Sequence, residues 1–214
     1  MNQSEQALGA LESLIEQGAL KPGSMVSERG LMDLTGLGRT PVREAIQRLA
    51  LNHMLKIHPN KGIEIPAISV EDQLSGLEVR RVVEVLAVEL ACSRASAKDI
   101  REIEALSSAL DGEFDLRDYS QTVRQTHALI IQAARNPYLE ALMVPLQTLS
   151  RRFWIMHVRD EQQEIVHGKL LHQAILRAIA ARDMSAATAA SLALNSYLVE
   201  FALSVVARMA VSRS

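Results

Sequence analysis

A mostly helical chain in two parts is predicted: a small three-helix head with a hairpin, then an antiparallel all-helical bundle. Three observations predict it. Hydrophobic residues make up 48% of the 214 positions and aromatics only 3%, a mix suited to helices rather than sheets. Apolar residues recur at helical spacing through most of the chain, and near residues 55–65 the period becomes two. The breakers Gly18, Pro22-Gly23, Gly36-Leu37-Gly38 and Asn136-Pro137 fall between the periodic runs.

In the head, residues 4–17 read as an amphipathic helix with Leu8, Leu11, Leu14 and Ile15 on one side, stopped by Gly18. Lys21-Pro22-Gly23 is a turn. Ser27 suits the cap of a second short helix that buries Leu31, Met32 and Leu34. A third helix is expected to take Thr40 as its cap and Pro41 as its first helical residue, and to end near Leu51. Its apolar face is Val42, Ala45, Ile46 and Leu49. Arg39, Arg43 and Gln47, spaced by four, make a separate solvent-facing strip. Leu55-Lys56-Ile57-His58 and Gly62-Ile63-Glu64-Ile65 alternate as strands do, joined by Pro59-Asn60-Lys61-Gly62. Three helices and a hairpin describe a winged helix-turn-helix over residues 1–68, with Pro66-Ala67-Ile68-Ser69 as the boundary.

The bundle occupies residues 69–214. Ser69 suits a cap, with Glu71 and Asp72 in the first turn of the helix that follows. Six helices are expected, over 70–94, 97–110, 118–134, 137–156, 162–181 and 185–209. The core face of the first is read as Leu74, Leu77, Val82, Val85, Leu86 and Leu90.

Charge separates the two parts. Over residues 37–61 the cations Arg39, Arg43, Arg48, Lys56 and Lys61 stand against Glu44 alone, a net +4. The whole chain carries −2, so the remainder carries −6. A local basic patch on an otherwise acidic chain points to nucleic-acid contact by one part and a different task for the other. Cys92 is the single cysteine, which excludes an intrachain disulfide and fits a reducing, cytoplasmic setting. No signal peptide and no uninterrupted apolar run of membrane-spanning length is read, so no membrane is expected.

The stretches "GALKPG", "SER" at 27–29, "GRTPVREAIQRLA" and "NKG" at the wing closely resemble the DNA-binding domain of the GntR family of bacterial transcription regulators. The resemblance implies that Arg29, Arg39, Thr40 and Arg43 contact double-stranded operator DNA, with Lys61 and Gly62 at the wing tip. Gln47 joins them from its place on the helical strip. Gly38 departs from the family, where Ser is usual; so does Asn52-His53-Met54, where an acidic residue and Gly are commoner. In the bundle, "EVRRVVE" at 78–84, "HALIIQAARN" at 127–136 and "HQAILRAIAARD" at 172–183 resemble the FadR-type subgroup with its FCD effector domain.

From the residues themselves, Arg80 lies among apolar positions and needs an anion, either a carboxylate ligand or a bundle Glu or Asp. His127 and His172 sit on apolar helical faces and could hold a metal or a carboxylate, or serve as satisfied core histidines. The resemblance matches Arg80 to the family's pocket arginine, and His127 and His172 to two ligands of a divalent metal. The other two ligand positions carry Val123 and either Leu194 or Asn195. Two imidazoles fall short of an ordinary metal site, which takes three or more protein ligands. The metal set is therefore incomplete, and the expectation is an acid held directly by Arg80, His127 and His172, with Asn195 as a further polar contact.

The reading that follows is a ligand-responsive transcription regulator, with repression as its expected direction. It is a homodimer whose bundle senses a small organic acid and shifts two DNA-binding heads. The alternatives are a metal-dependent helical-bundle enzyme and a constitutive architectural DNA-binding protein. No nucleophile, paired carboxylates or complete metal triad accompanies the histidines, so no enzyme is expected. The reading requires the arginine strip to face outward and to be free of carboxylates of its own chain.

Overall fold

A computed structural model describes residues 2–16 and 18–211, which form two compact units, one ending at Ser69 and the other starting at Val70. Gln17, the expected last residue of the first helix, lies outside the described residues.

The first unit contains α1 (Gln3–Glu16), β1 (Met25–Val26), α2 (Glu28–Thr35), α3 (Arg39–Leu51), β2 (Lys56–His58) and β3 (Gly62–Glu64). Leu11 and Ile15 of α1 pack with Leu31 of α2 and Val42, Ala45, Ile46 and Leu49 of α3 in one apolar core. Ser27 caps α2, its side chain accepting from the Gly30 N–H at 3.0 Å. Gly36 ends the helix at φ 68°, in the left-handed region that glycine tolerates. Leu34, expected in the core, is exposed, because the short helix turns only Leu31 fully inward. The third helix starts two residues earlier than expected. Gly38 is its cap in an extended conformation and offers no side-chain bond, so Thr40 and Pro41 are the second and third helical residues.

The hairpin forms as the alternation predicts, and a third strand joins it. The antiparallel order is β1-β3-β2, with Val26 opposite Ile63 and Ile57 opposite Ile63. Two residues of strand are too few to leave a period in the sequence. At the wing Gly62 has φ 119°, and a Cβ there would stand 3.0 Å from the Val26 carbonyl oxygen, so β1 passes close only because residue 62 has no side chain.

The second unit is helical: α4 (Val70–Arg94), α5 (Ala97–Ala109), α6 (Leu116–Ala134), α7 (Pro137–His157), α8 (Glu161–Ala180) and α9 (Met184–Val211). Helix α4 runs through the centre against α6, α7, α8 and α9. Its inward face is not the one that apolar counting selects. Gln73, Leu77, Arg80, Glu84, Ala87, Val88 and Ala91 are buried, whereas Val82 and Leu86 are exposed. Polar residues can take the inner face here because they bond one another across the core, and Val82 and Leu86 are left outside. Helix α9 is long and apolar enough to cross a membrane by length and composition. Here Leu194, Leu198, Ala202 and Val205 are buried, and the helix packs on α4 and α8 as a core element.

Candidate nucleic-acid interface and effector cavity

The strip on α3 is presented outward. Arg39, Thr40, Arg43 and Gln47 are all exposed, and so are Arg29 on α2 and Lys61 on the wing. An open groove runs between α3 and the hairpin, bordered by Arg43, Gln47, Arg48, His58 and Asn60. Asn60 takes φ 61°, which turns the chain at the wing tip. Across the hairpin the His58 Nε2 lies 2.6 Å from a Glu64 carboxylate oxygen.

Half of the requirement on the arginines fails. They face solvent, but a carboxylate of their own chain holds both. Glu28, next to the α2 cap, accepts from Arg39 Nε at 2.8 Å and from Arg43 Nε at 2.7 Å. The two hydrogen bonds, Arg43 first, hold the Glu28 carboxyl below the usual carboxylate range. The arginine side chains remain 68% and 57% exposed, so these are surface ion pairs in a high dielectric, worth little and easily exchanged. Each bond engages Nε, so Glu28 fixes the direction of both guanidinium groups. Sequence reading missed Glu28, because its role depends on α2 and α3 being brought together.

In the second unit a small cavity of about 50 Å³ lies between α4, α6, α7, α8 and α9. Arg80, His127 and His172 all line it. Asn195 does not: Leu194 takes the lining position, and the Asn195 amide donates to the Leu77 carbonyl at 3.0 Å, tying α9 to α4. Arg80 has an internal partner. Its Nε and Nη2 donate to Glu84 Oε1 at 3.0 and 2.8 Å, and Gln147 Nε2 donates to the same oxygen at 3.0 Å. Arg151 of α7 brings a second guanidinium to the wall and bonds Thr148 at 3.1 Å. The outer wall is aromatic. Trp154 Nε1 donates to the Tyr197 hydroxyl at 2.8 Å, and that hydroxyl donates to Glu164 at 2.6 Å.

The imidazoles of His127 and His172 face each other with centroids 5.6 Å apart. Burial disfavours their cations, and the nearby guanidinium charges add to this. His127 titrates well below its usual range and His172 is lowered to about 4. The His172 Nδ1 donates to the Gly168 carbonyl at 2.7 Å. Gly168 has a second purpose, since a Cβ there would overlap the Tyr119 hydroxyl that fills the corner beside His172.

Residues 3–65 match the bacterial regulatory proteins of the gntR family, and residues 76–196 match the FCD domain. The chain belongs to the gntR family of bacterial regulatory proteins. An uncharacterized HTH-type transcriptional regulator of Bacillus subtilis, YdhC, is 26% identical over 137 residues, which is 62% of this chain and 61% of that relative's length. The HTH-type transcriptional regulator LutR of the same organism is 26% identical over 209 residues, 84% of this chain and 92% of the relative. The solved structure of Escherichia coli McbR shares the fold, with a TM-score of 0.76 over 95% of this chain and 98% of that one at 19% identity.

The gntR resemblance raises the question of a metal in the FCD cavity, and the donor set answers against one. Two imidazoles are present, and no third His, Cys, Asp or Glu joins them in a metal-binding group among the described residues. Val123 and Leu194, which line the wall, offer no donor atom, and Asn195 is turned away to the Leu77 carbonyl. The Arg80 and Arg151 guanidinium groups act on the imidazoles electrostatically, and a dication placed between the rings would meet their charge. The residues do not fit a divalent ion. The Tyr119–Trp154–Tyr197 wall and the Arg151 contribution were missed in the sequence. The signal for Arg151 was there: the pair Arg151-Arg152 sits directly before Phe153-Trp154 on a helix with a buried face.

Proposed function

We propose that this gntR-family chain is a ligand-responsive DNA-binding transcription regulator. Residues 1–68 bind double-stranded operator DNA, and residues 69–214 form the effector domain. One observation carries the reading: the exposed strip Arg39, Thr40, Arg43 and Gln47 lies in one unit with Arg29 and the wing tip Lys61-Gly62. Arginines at the start of a recognition helix can grip guanine or phosphate, and a glycine at a wing tip lets backbone approach the minor groove. The family membership and the relatives' names as transcriptional regulators support the same reading.

The effector is a small carboxylate bound in the α4–α9 cavity at Arg80, His127 and His172. The chain acts in the bacterial cytoplasm as a homodimer reading two half-sites, and as a repressor rather than an enzyme. The exposed apolar side chains Val79, Val82 and Leu86 on α4 give a dimer a surface to cover. The test has two arms. Selection from random duplexes should yield a preferred operator sequence. A thermal-shift panel of small carboxylates should yield at least one that raises the melting temperature and changes affinity for that duplex. A protein that selects no sequence, or whose DNA affinity is indifferent to every stabilising acid, contradicts the reading.

A further inference from the structure

One carboxylate in the head is divided between two arginines, and the division treats DNA bases and DNA phosphates differently. Glu28 Oε1 accepts from Arg39 Nε at 2.8 Å, and Glu28 Oε2 accepts from Arg43 Nε at 2.7 Å. The arginines are a turn apart on α3, and Glu28 reaches both from the first helical position of α2, behind the Ser27 cap. A guanidinium has a fork of two Nη atoms at its end and a separate Nε edge at its side. Glu28 occupies the Nε position of both groups and leaves the forks to solvent. Other cations of the head are not held in this way: among the described residues Arg29, Arg48, Lys56 and Lys61 form no ion pair.

The two kinds of DNA contact respond differently to this arrangement. The fork of an arginine matches the O6 and N7 acceptors of guanine. A phosphate is gripped from either edge, and mainly by charge. With Glu28 present, a base edge meets two aimed forks. A phosphate meets two arginines and one glutamate, a joint charge of +1 instead of +2. To grip a phosphate through Nε, an arginine must first leave Glu28, so the contact gains only the difference between two similar ion pairs. Reading a guanine demands no such exchange.

We propose that Glu28 is a positioning residue that suppresses sequence-independent DNA binding: it withholds Arg39 and Arg43 from phosphates and leaves their forks for bases. Arg29 and Lys61 keep the backbone grip. This rests on the α3 strip being the DNA-reading face. Its distinctive consequence is a gain on mutation: without the carboxylate, the chain binds random DNA more tightly.

The experiment is fluorescence anisotropy of the full chain on the selected operator and on a random duplex of equal length, from about 50 to about 200 mM salt. Glu28→Gln keeps the size of the side chain and removes its charge. Asp33→Asn removes the same charge from an exposed position of the same helix and serves as the control. Glu28→Gln should bind the random duplex about threefold or more tightly at low salt, with a salt slope steeper by about 0.9, the mark of one added phosphate contact. Operator affinity should not rise in step, so the operator-to-random ratio falls, and Asp33→Asn should keep the wild-type ratio. Unchanged random-duplex affinity and slope in Glu28→Gln overturn the inference. So does an equal rise on both duplexes, or the same change in Asp33→Asn, since either is a general effect of charge. A wild type that selects no operator brings down the DNA-reading face itself, which is a separate failure. ¹⁵N-arginine spectra of the wild type need no variant. The Arg39 and Arg43 Nε–H signals should keep their Glu28-bonded positions when operator is added, and loss of those positions overturns the inference.

Discussion

The head and the bundle each hold arginine against glutamate, and the two pairings have opposite consequences. Glu28 holds Arg39 and Arg43 at the surface, where the arginines are 68% and 57% exposed. Glu84 holds Arg80 in the core, where the two side chains are 3% and 8% exposed. At the surface, water competes for both partners, so the pair is worth at most about 1 kcal/mol and can be exchanged for a phosphate. In the core, neither charge can be stranded without a penalty of several kcal/mol. The same chemistry therefore makes a releasable guide for recognition in one unit and a permanent charge framework in the other.

The largest effect expected from this contrast is Glu84→Ala. It leaves Arg80 buried without its carboxylate and should destabilise the bundle by about 3–5 kcal/mol. The single tryptophan, Trp154, lies in this unit, so urea denaturation followed by its fluorescence reads the bundle directly. A loss under 1 kcal/mol would show that water reaches Arg80 freely.

Gly168→Ala comes next. The added methyl overlaps the Tyr119 hydroxyl and should cost about 1–3 kcal/mol. Pairing it with Tyr119→Phe, which removes that oxygen, should restore most of the loss in the same denaturation measurement.

The imidazole pair predicts a pH dependence. His172 titrates at about 4 in the fold and His127 also lies below its ordinary value of 6.5, so the unfolded chain takes up protons first as the solution is acidified. The stability that His172 contributes is fully present above about pH 6.5 and is lost between there and about pH 4, and His127 acts in the same direction. Melting temperature should fall more steeply through that window in the wild type than in the His127→Phe/His172→Phe variant. Parallel curves would contradict the burial of both rings.

Smallest is Glu28→Ala. Stability should change by at most about 1 kcal/mol, while discrimination between the selected operator and a random duplex narrows, because Arg39 and Arg43 lose their common guide. Unchanged discrimination would assign Glu28 no part in recognition.

The same contrast explains what could be read in the sequence. The head was legible because its signals are local. Ser27 as a cap, the left-handed Gly36, the apolar face of α3 and the alternation around Pro59-Asn60 each act within a few residues. The six bundle helices were legible for the same reason. Their inward faces were less so. In α4 apolar counting favoured Val82 and Leu86, yet Arg80 turns inward with Glu84, and Gln73 and Glu84 do so because Ser150 and Gln147 on α7 are there to bond them. Such partnerships span more than sixty residues and leave no period. Asn195 was expected at the cavity for its polarity, and the Leu77 carbonyl claims it instead. Glu28 was invisible as a partner of α3 for the same reason.

The most direct test of the account is the affinity of Arg43→Ala for the selected operator, measured by fluorescence anisotropy at fixed salt beside the wild type. Loss of one positioned guanidinium should weaken binding by about 1–3 kcal/mol, with less discrimination against substituted bases. Unchanged affinity and unchanged discrimination would mean that the outward arginine strip does not read DNA.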